Sequence, residues 1–298
     1  MAWWVVASVQ KFWIASAAAF AVLLMGSIAT WVIGRLSPGV DISNLRQRVR
    51  TWWWIVPLLS SVLALGAGAV ALLFGVVCAL ALREYEALAE SERYADVRVW
   101  RAVLVVSLLA QFYLSYHGSF PAFGLSIPAC AVLLISFSRR ERYCAGGQLL
   151  VYALSHIPRL AMLPEGANWV AFLLVVTQVN DVAQYVWGKR FGRTPLAPRL
   201  SPNKTREGLY GGLVTSGVLA AWLGGAILPV DFWQAGLAGI GLAVLGVAGD
   251  LTISALKRRA RVKDAGSLLP GHGGVLDRVD GLLYASPALF YAVHAGVV

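Results

Sequence analysis

Long apolar runs alternate with short polar segments along the whole chain, and most of the polar segments are rich in arginine. The first run, 12–33, has the ~20 apolar residues that a bilayer-spanning helix needs. A basic segment follows at 34–51, and then a run at 52–82 that is too long for one comfortable span and short for two. As a single helix it would put the arginines of 34–51 and those at Arg93, Arg98 and Arg101 on opposite sides of the membrane, against the positive-inside tendency. A break near Gly66-Ala67-Gly68 returns both to the cytoplasm, so the pattern predicts a helical hairpin. Segment 83–101, with Glu84, Glu86, Glu90 and Glu92, reads as a solvated amphipathic helix on that side.

Spans are expected next at 99–116 and 120–137, joined by the uncharged turn His117-Gly118-Ser119, with Arg139, Arg140 and Arg142 bringing the chain back inside. The run 147–163 is weaker, because His156, Pro158 and Arg159 interrupt it. A mid-span arginine costs ~2.5–3.5 kcal/mol on insertion scales, so this run is either packed inside the bundle or partly interfacial. Runs at 169–187, 209–228, 233–256 and 282–298 complete the pattern, with a loop rich in Lys, Arg and Pro at 189–207 and the C-terminus outside. The prediction is an all-α, polytopic integral membrane protein of about ten transmembrane helices. One membrane domain covers 52–298, preceded by an additional helix and basic linker over 1–51.

Composition agrees. Hydrophobic residues make up 58% and charged residues 13%, about half the ~25% of a soluble domain. The net charge of +10 sits between the spans, where it sets topology and attracts anionic lipid; a nucleic-acid partner is not expected, since there is no separate basic domain. Cys78, Cys130 and Cys144 have no C-x-x-C spacing and predict neither a disulfide framework nor a zinc site. The first apolar run lacks a small-residue cleavage site and reads as an uncleaved anchor.

Against this background the surviving charges stand out. In Asn180-Asp181-Val182-Ala183-Gln184-Tyr185, positions 181, 184 and 185 share a helix face within an apolar run. An intramembrane carboxylate reads as functional, with a helix–helix hydrogen bond as the alternative. Ser201-Pro202-Asn203-Lys204-Thr205-Arg206-Glu207-Gly208 places cations and hydroxyls at a helix start, an anion-binding arrangement or a plain positive-inside loop. Asp250, Ser254 and Lys257 fall at i, i+4 and i+7, one stripe leading into the cations Lys257, Arg258, Arg259, Arg261 and Lys263. Pro270-Gly271-His272-Gly273-Gly274 then forms a turn that lets backbone approach a ligand, and Asp277-Arg278-Val279-Asp280 closes the stretch. Asp181, Asp250, Asp277 and Asp280 are expected at similar depth near the cytoplasmic face. Clustered carboxylates repel unless a cation lies among them; oxygen ligands suit Mg²⁺, and the adjacent lysines and arginines argue for phosphates as its other ligands. His272 reads as a turn or phosphate contact.

The stretch SALKRRARVKDAGSLLPGHGGVLDRVD resembles the signature of the phosphatidate cytidylyltransferase (CDP-diacylglycerol synthase) family. The Asn180-Asp181 helix, the SPNKTREG loop and Arg83-Glu84-Tyr85 resemble that family's other motifs in order, extending the likeness over about 52–298. The additional N-terminal span and the NDVAQY wording resemble a bacterial side branch. Arg261 stands where the family usually has glycine, Ala265 and Gly281 where serine is common, and Arg206 where an aromatic is usual. The resemblance implies transfer of a cytidylyl group from CTP to phosphatidate or a related lipid phosphate, at the cytoplasmic side of a bacterial inner membrane. It implies a catalytic set of Asp250, Asp277, Asp280, Lys257, Lys263 and His272, with Asp250, Asp277 and Asp181 as metal ligands. Asn180, Asp181, Ser201, Lys204, Thr205, Arg258, Gly273, Gly274 and Arg278 are the expected substrate contacts. A second cation beside Mg²⁺ and a homodimer stay open, as do a CTP-dependent polyprenol-type kinase and a non-enzymatic anion or lipid carrier built on the same fold.

Overall fold

The computed structural model describes residues 43–90, 97–117, 139–266, 268 and 273–298, together with scattered helical positions between 13 and 35 that fall on the first expected span. The expected span 120–137, Cys130, and the turn residues Pro270, Gly271 and His272 lie outside the described residues. The chain runs α1 (Ser43–Leu65), α2 (Ala67–Glu90), α3 (Val97–His117), α4 (Arg139–Ala161) and α5 (Gly166–Phe191). It continues through β1 (Pro195–Ala197) and β2 (Ser201–Thr205) into α6 (Arg206–Ile227), α7 (Phe232–Arg259), the single turn α8 (Leu276–Val279) and α9 (Leu282–His294). Four helices among the described residues are long and apolar enough to cross a membrane: α5, α6, α7 and the part of α2 from Ala67 to Leu88. Leu72, Tyr185, Val214, Trp222 and Phe232 are exposed on these helices, as lipid-facing side chains are. The protein is an all-α polytopic membrane protein.

The long run at 52–82 is broken where expected, at one residue. Gly66 has φ 94, a left-handed conformation that glycine takes without a Cβ clash, and its amide donates to the Leu63 carbonyl at 3.2 Å. From there α2 and α3 run antiparallel. Gly68 faces Tyr116, Gly75 faces Phe112, and the Arg101 guanidinium meets Glu86 at 2.9 Å at the other end. Arg159, in the last turn of α4, is half-buried. Leu154, Ile157 and Leu160 around it are fully buried, and Arg159 Nη1 donates to the Ser115 carbonyl at 3.3 Å.

Helices α5, α6 and α7 pack closely because small residues line their contacts. A Cβ on Gly224 would overlap Ala235, and one on Gly239 would overlap Ala220, so the backbones approach as small-residue membrane interfaces allow. The same device brings α7 to the α8–α9 turn, where Gly249 lies against the Asp280 carbonyl.

Two features depart from the expected pattern. The loop at 189–207 carries a two-stranded antiparallel hairpin, with Pro195 paired to Thr205 and Ala197 to Ser201. Glu207 straps it to the start of α6 by accepting the amides of Arg193 and Thr194 at 3.0 and 3.2 Å. At the other departure, α7 ends in a Schellman turn, the Val262 amide reaching the Lys257 carbonyl at 3.0 Å and the Arg261 amide the Arg258 carbonyl at 3.1 Å. That motif places Arg261 at φ 58. Glycine in the related pattern thus has a backbone reason, since a side chain in the left-handed region costs about 1 kcal/mol. Arg261→Gly should therefore stabilise the protein by about 0.5 kcal/mol after the greater entropy of an unfolded glycine is counted, read as a higher unfolding midpoint in detergent.

Candidate active site

One end of α5, the C-terminal end of α7, the β1–β2 hairpin and the α8 turn converge on one group of charges. Helix α7 supplies the predicted stripe: Ser254 Oγ donates to Asp250 Oδ1 at 3.2 Å, one turn away. Lys257, a further turn on, is buried and donates from Nζ to Asp277 Oδ1 at 2.6 Å. The hairpin delivers Lys204, whose ammonium forms an ion pair with Asp250. Thr205 ends β2 and caps α6, its Oγ1 accepting the Gly208 amide at 3.1 Å. Ser201 starts the same strand.

Asp277 is held from several directions. Besides Lys257, its Oδ2 accepts the amides of Ala265 at 2.9 Å and Gly274 at 3.0 Å. Gly273, at φ 79, lies so near that a Cβ there would stand 2.9 Å from Oδ2. Asp280 is also buried, and its Oδ1 accepts the Gly281 amide at 2.7 Å. Burial pushes the Asp280 carboxyl well above the usual carboxylate range, and the nearby Asp250 and Asp181 carboxylates push it the same way. Arg278 and the Gly281 amide act in the opposite sense. Arg278 Nε is buried and has no hydrogen-bond partner.

Of the expected metal ligands Asp250, Asp277 and Asp181, Asp250 pairs with Lys204 and Asp277 accepts from Lys257 and two amides, while Asp250 and Asp181 act electrostatically on Asp280. Among the described residues no three His, Cys, Asp or Glu side chains gather closely enough to hold a metal by themselves. The oxygen donors still suit a hard cation that binds through one or two carboxylates and completes its sphere with substrate phosphates. Lys204 on Asp250 is a positive charge at the place where such a cation would relieve the repulsion.

Other expected contacts divide. Asn180 is fully buried and donates from Nδ2 to the Ala243 carbonyl at 3.3 Å, tying α5 to α7, while the neighbouring Asp181 is exposed. Gln184 is buried but Tyr185 is exposed, so the anticipated common face is split. Arg258 is turned to backbone, its Nε donating to the Leu200 carbonyl at 3.0 Å and Nη1 to the Val262 carbonyl at 3.2 Å, which ties the hairpin to the end of α7. Lys263 is exposed, and the Gly274 amide serves Asp277.

One residue of this region was not anticipated. Glu84, placed by its pattern on a solvated linker helix, accepts the amides of Val275 at 3.0 Å and Leu276 at 2.8 Å. Its place in the Arg83-Glu84-Tyr85 resemblance was the signal available.

The cytidylyltransferase family pattern matches residues 46–295. The chain belongs to the cytidylyltransferase family. It is 35% identical over 293 residues to the uncharacterized protein YnbB of Escherichia coli (strain K12), a match covering 92% of this chain and 96% of that protein. Phosphatidate cytidylyltransferase of Brucella melitensis biotype 1 is 35% identical over 229 residues, 73% of this chain and 82% of the relative. The Bacillus subtilis (strain 168) phosphatidate cytidylyltransferase is 43% identical over 127 residues, 42% of this chain and 47% of the relative. This cytidylyltransferase is therefore a membrane nucleotidyltransferase, and the charges just described lie within the matched region.

The buried Lys257–Asp277 pair can be tested directly. Lys257→Met leaves a buried carboxylate short of its cation and should cost about 3 kcal/mol of stability, whereas Lys257→Met with Asp277→Asn should recover most of that loss. Unfolding midpoints of the purified variants in one detergent check both.

Proposed function

We propose that this cytidylyltransferase transfers the cytidylyl group of CTP to phosphatidate, forming CDP-diacylglycerol and pyrophosphate at the cytoplasmic face of a bacterial inner membrane. The observation that carries this reading is the Lys204–Asp250 ion pair, with Asp181 and Asp280 within electrostatic reach and an unpartnered Arg278 Nε beside them. Carboxylates and phosphate-binding cations meet there at the inner ends of lipid-facing helices, where a lipid headgroup and a water-soluble nucleotide can both arrive. The relatives named phosphatidate cytidylyltransferase support the choice of lipid.

The attacking group in this reaction is a phosphate oxygen that is already anionic, so no strong base is required. Catalysis is alignment with the α-phosphorus and neutralisation of like charge. Lys204 and Arg278 would hold phosphate oxygens, with Lys204 exchanging Asp250 for substrate. Thr205 and Ser201 would face the same anion from the hairpin, and Lys263 would meet the nucleotide from solvent. Lys257 and the two amides hold Asp277 in place beside this group. Mg²⁺, held by Asp250 with Asp181 or Asp280, would supply charge neutralisation across the phosphates. Acyl chains would lie between helices, leaving the headgroup beside Asp250.

Detergent-purified protein given CTP labelled in turn at the α- and γ-phosphate, with Mg²⁺ and phosphatidate, separates the readings. α-Label in CDP-diacylglycerol is expected. γ-Label in lipid identifies a kinase instead, and label in no lipid together with flux across vesicles identifies a carrier. Asp250→Asn should lower turnover about a hundredfold or more while the protein stays folded, because the carboxylate that would hold the charge-neutralising cation is lost.

A further inference from the structure

We propose that Glu84 is a positioning residue for the transfer site: from the inner end of α2 its carboxylate clamps the glycine-containing turn between α7 and α8 and sets the depth at which Asp277 and Arg278 are presented. This rests on the site assignment above.

Helix α8 is a single turn whose preceding residue, Val275, provides no side-chain cap. Its first amides would otherwise lack acceptors. Glu84 supplies both, with Oε1 taking the Val275 amide at 3.0 Å and Oε2 the Leu276 amide at 2.8 Å. A carboxylate across two consecutive amides is a charge-assisted arrangement with a defined direction. It joins positions 191 and 192 residues apart, so it is a tertiary constraint and not a local cap.

The turn is shaped to receive that carboxylate. A Cβ on Gly266 would lie 2.5 Å from Glu84 Oε1, 2.8 Å from its Cδ and 3.3 Å from its Cγ, and these are its three nearest neighbours. A Cβ on Gly274 would also overlap Glu84 Oε2. The Gly274 amide donates in turn to Asp277, so the residue touching the clamp is bonded to the carboxylate that pairs with Lys257. On the other side Glu84 follows Cys78, Ala81 and Leu82, all buried, which makes the end of α2 a firm support. Glu86, two residues on, instead meets the half-exposed Arg101 at 2.9 Å. With both oxygens on amides, Glu84 is placed to act through the turn and not on substrate.

The test uses full-length protein in detergent. Glu84→Gln preserves size but turns an NH₂ group toward an amide N–H, and should lower kcat about tenfold to a hundredfold, the scale of a small misplacement at a reacting centre. Glu84→Asp, too short to reach both amides, should fall between that variant and the parent. Gly266→Ala should be similarly damaging alone, yet add little in a Glu84→Ala background, where the methyl group has room. Hydrogen exchange at Val275 and Leu276 should rise in Glu84→Ala while the unfolding midpoint stays close to the parent's. Parental kcat and KM in Glu84→Gln, losses that multiply in the Gly266→Ala, Glu84→Ala pair, or unchanged exchange at both amides would each overturn the proposal. If the parent protein makes no CDP-diacylglycerol, the lipid reading fails separately, and exchange alone decides the clamp: protection lost supports it and protection kept overturns it.

Discussion

A carboxylate taken out of water costs several kcal/mol unless a cation or a set of amides meets it, and one end of this bundle buries or half-buries several. Each is answered differently. Lys204 arrives on a β-hairpin to meet Asp250, Lys257 comes from the same helix stripe to meet Asp277, and backbone amides complete Asp277 and take up Glu84. Burial raises the Asp280 carboxyl, Asp250 and Asp181 act the same way, and Arg278 and one amide oppose them. In the proposed reaction a hard cation and substrate phosphates would sit among these carboxylates.

These pairings depend on close helix approach. Glycines against alanines bring α6 and α7 together, Gly208 and Gly212 let α6 approach Gln184 of α5, and Gly249 lets the Asp280 backbone lie directly on α7. A methyl group at Gly239 or Gly249 would separate elements whose charged ends must meet. The hairpin is tied in by polar bonds, Glu207 to the amides of Arg193 and Thr194, and Arg258 to the Leu200 carbonyl. Apolar packing sets the depth of the site, and polar straps set its lateral position.

Much of this was legible beforehand. Hydropathy period and the positive-inside tendency located the break at Gly66, since the bilayer makes every residue in a span answer to the same solvent. Helical spacing alone placed Ser254 on Asp250, and the turn at the end of α7 explains why a glycine position stands out when arginine fills it. What each carboxylate meets was not legible: Asp277 accepts the amides of Ala265 and Gly274 as well as Lys257, partners that no spacing along the chain specifies.

The residues by themselves determined that this is a helical membrane protein of the cytidylyltransferase family with its charges gathered near one face. Composition, periodicity and contiguous motifs are local properties, readable one segment at a time. Only the tertiary structure decided which charge meets which: Lys204 with Asp250 across a hairpin, Arg258 on backbone, and Glu84 on amides nearly two hundred residues away. Electrostatic and hydrogen-bond energies fall steeply with distance and direction, and no spacing along a chain specifies either between separate helices.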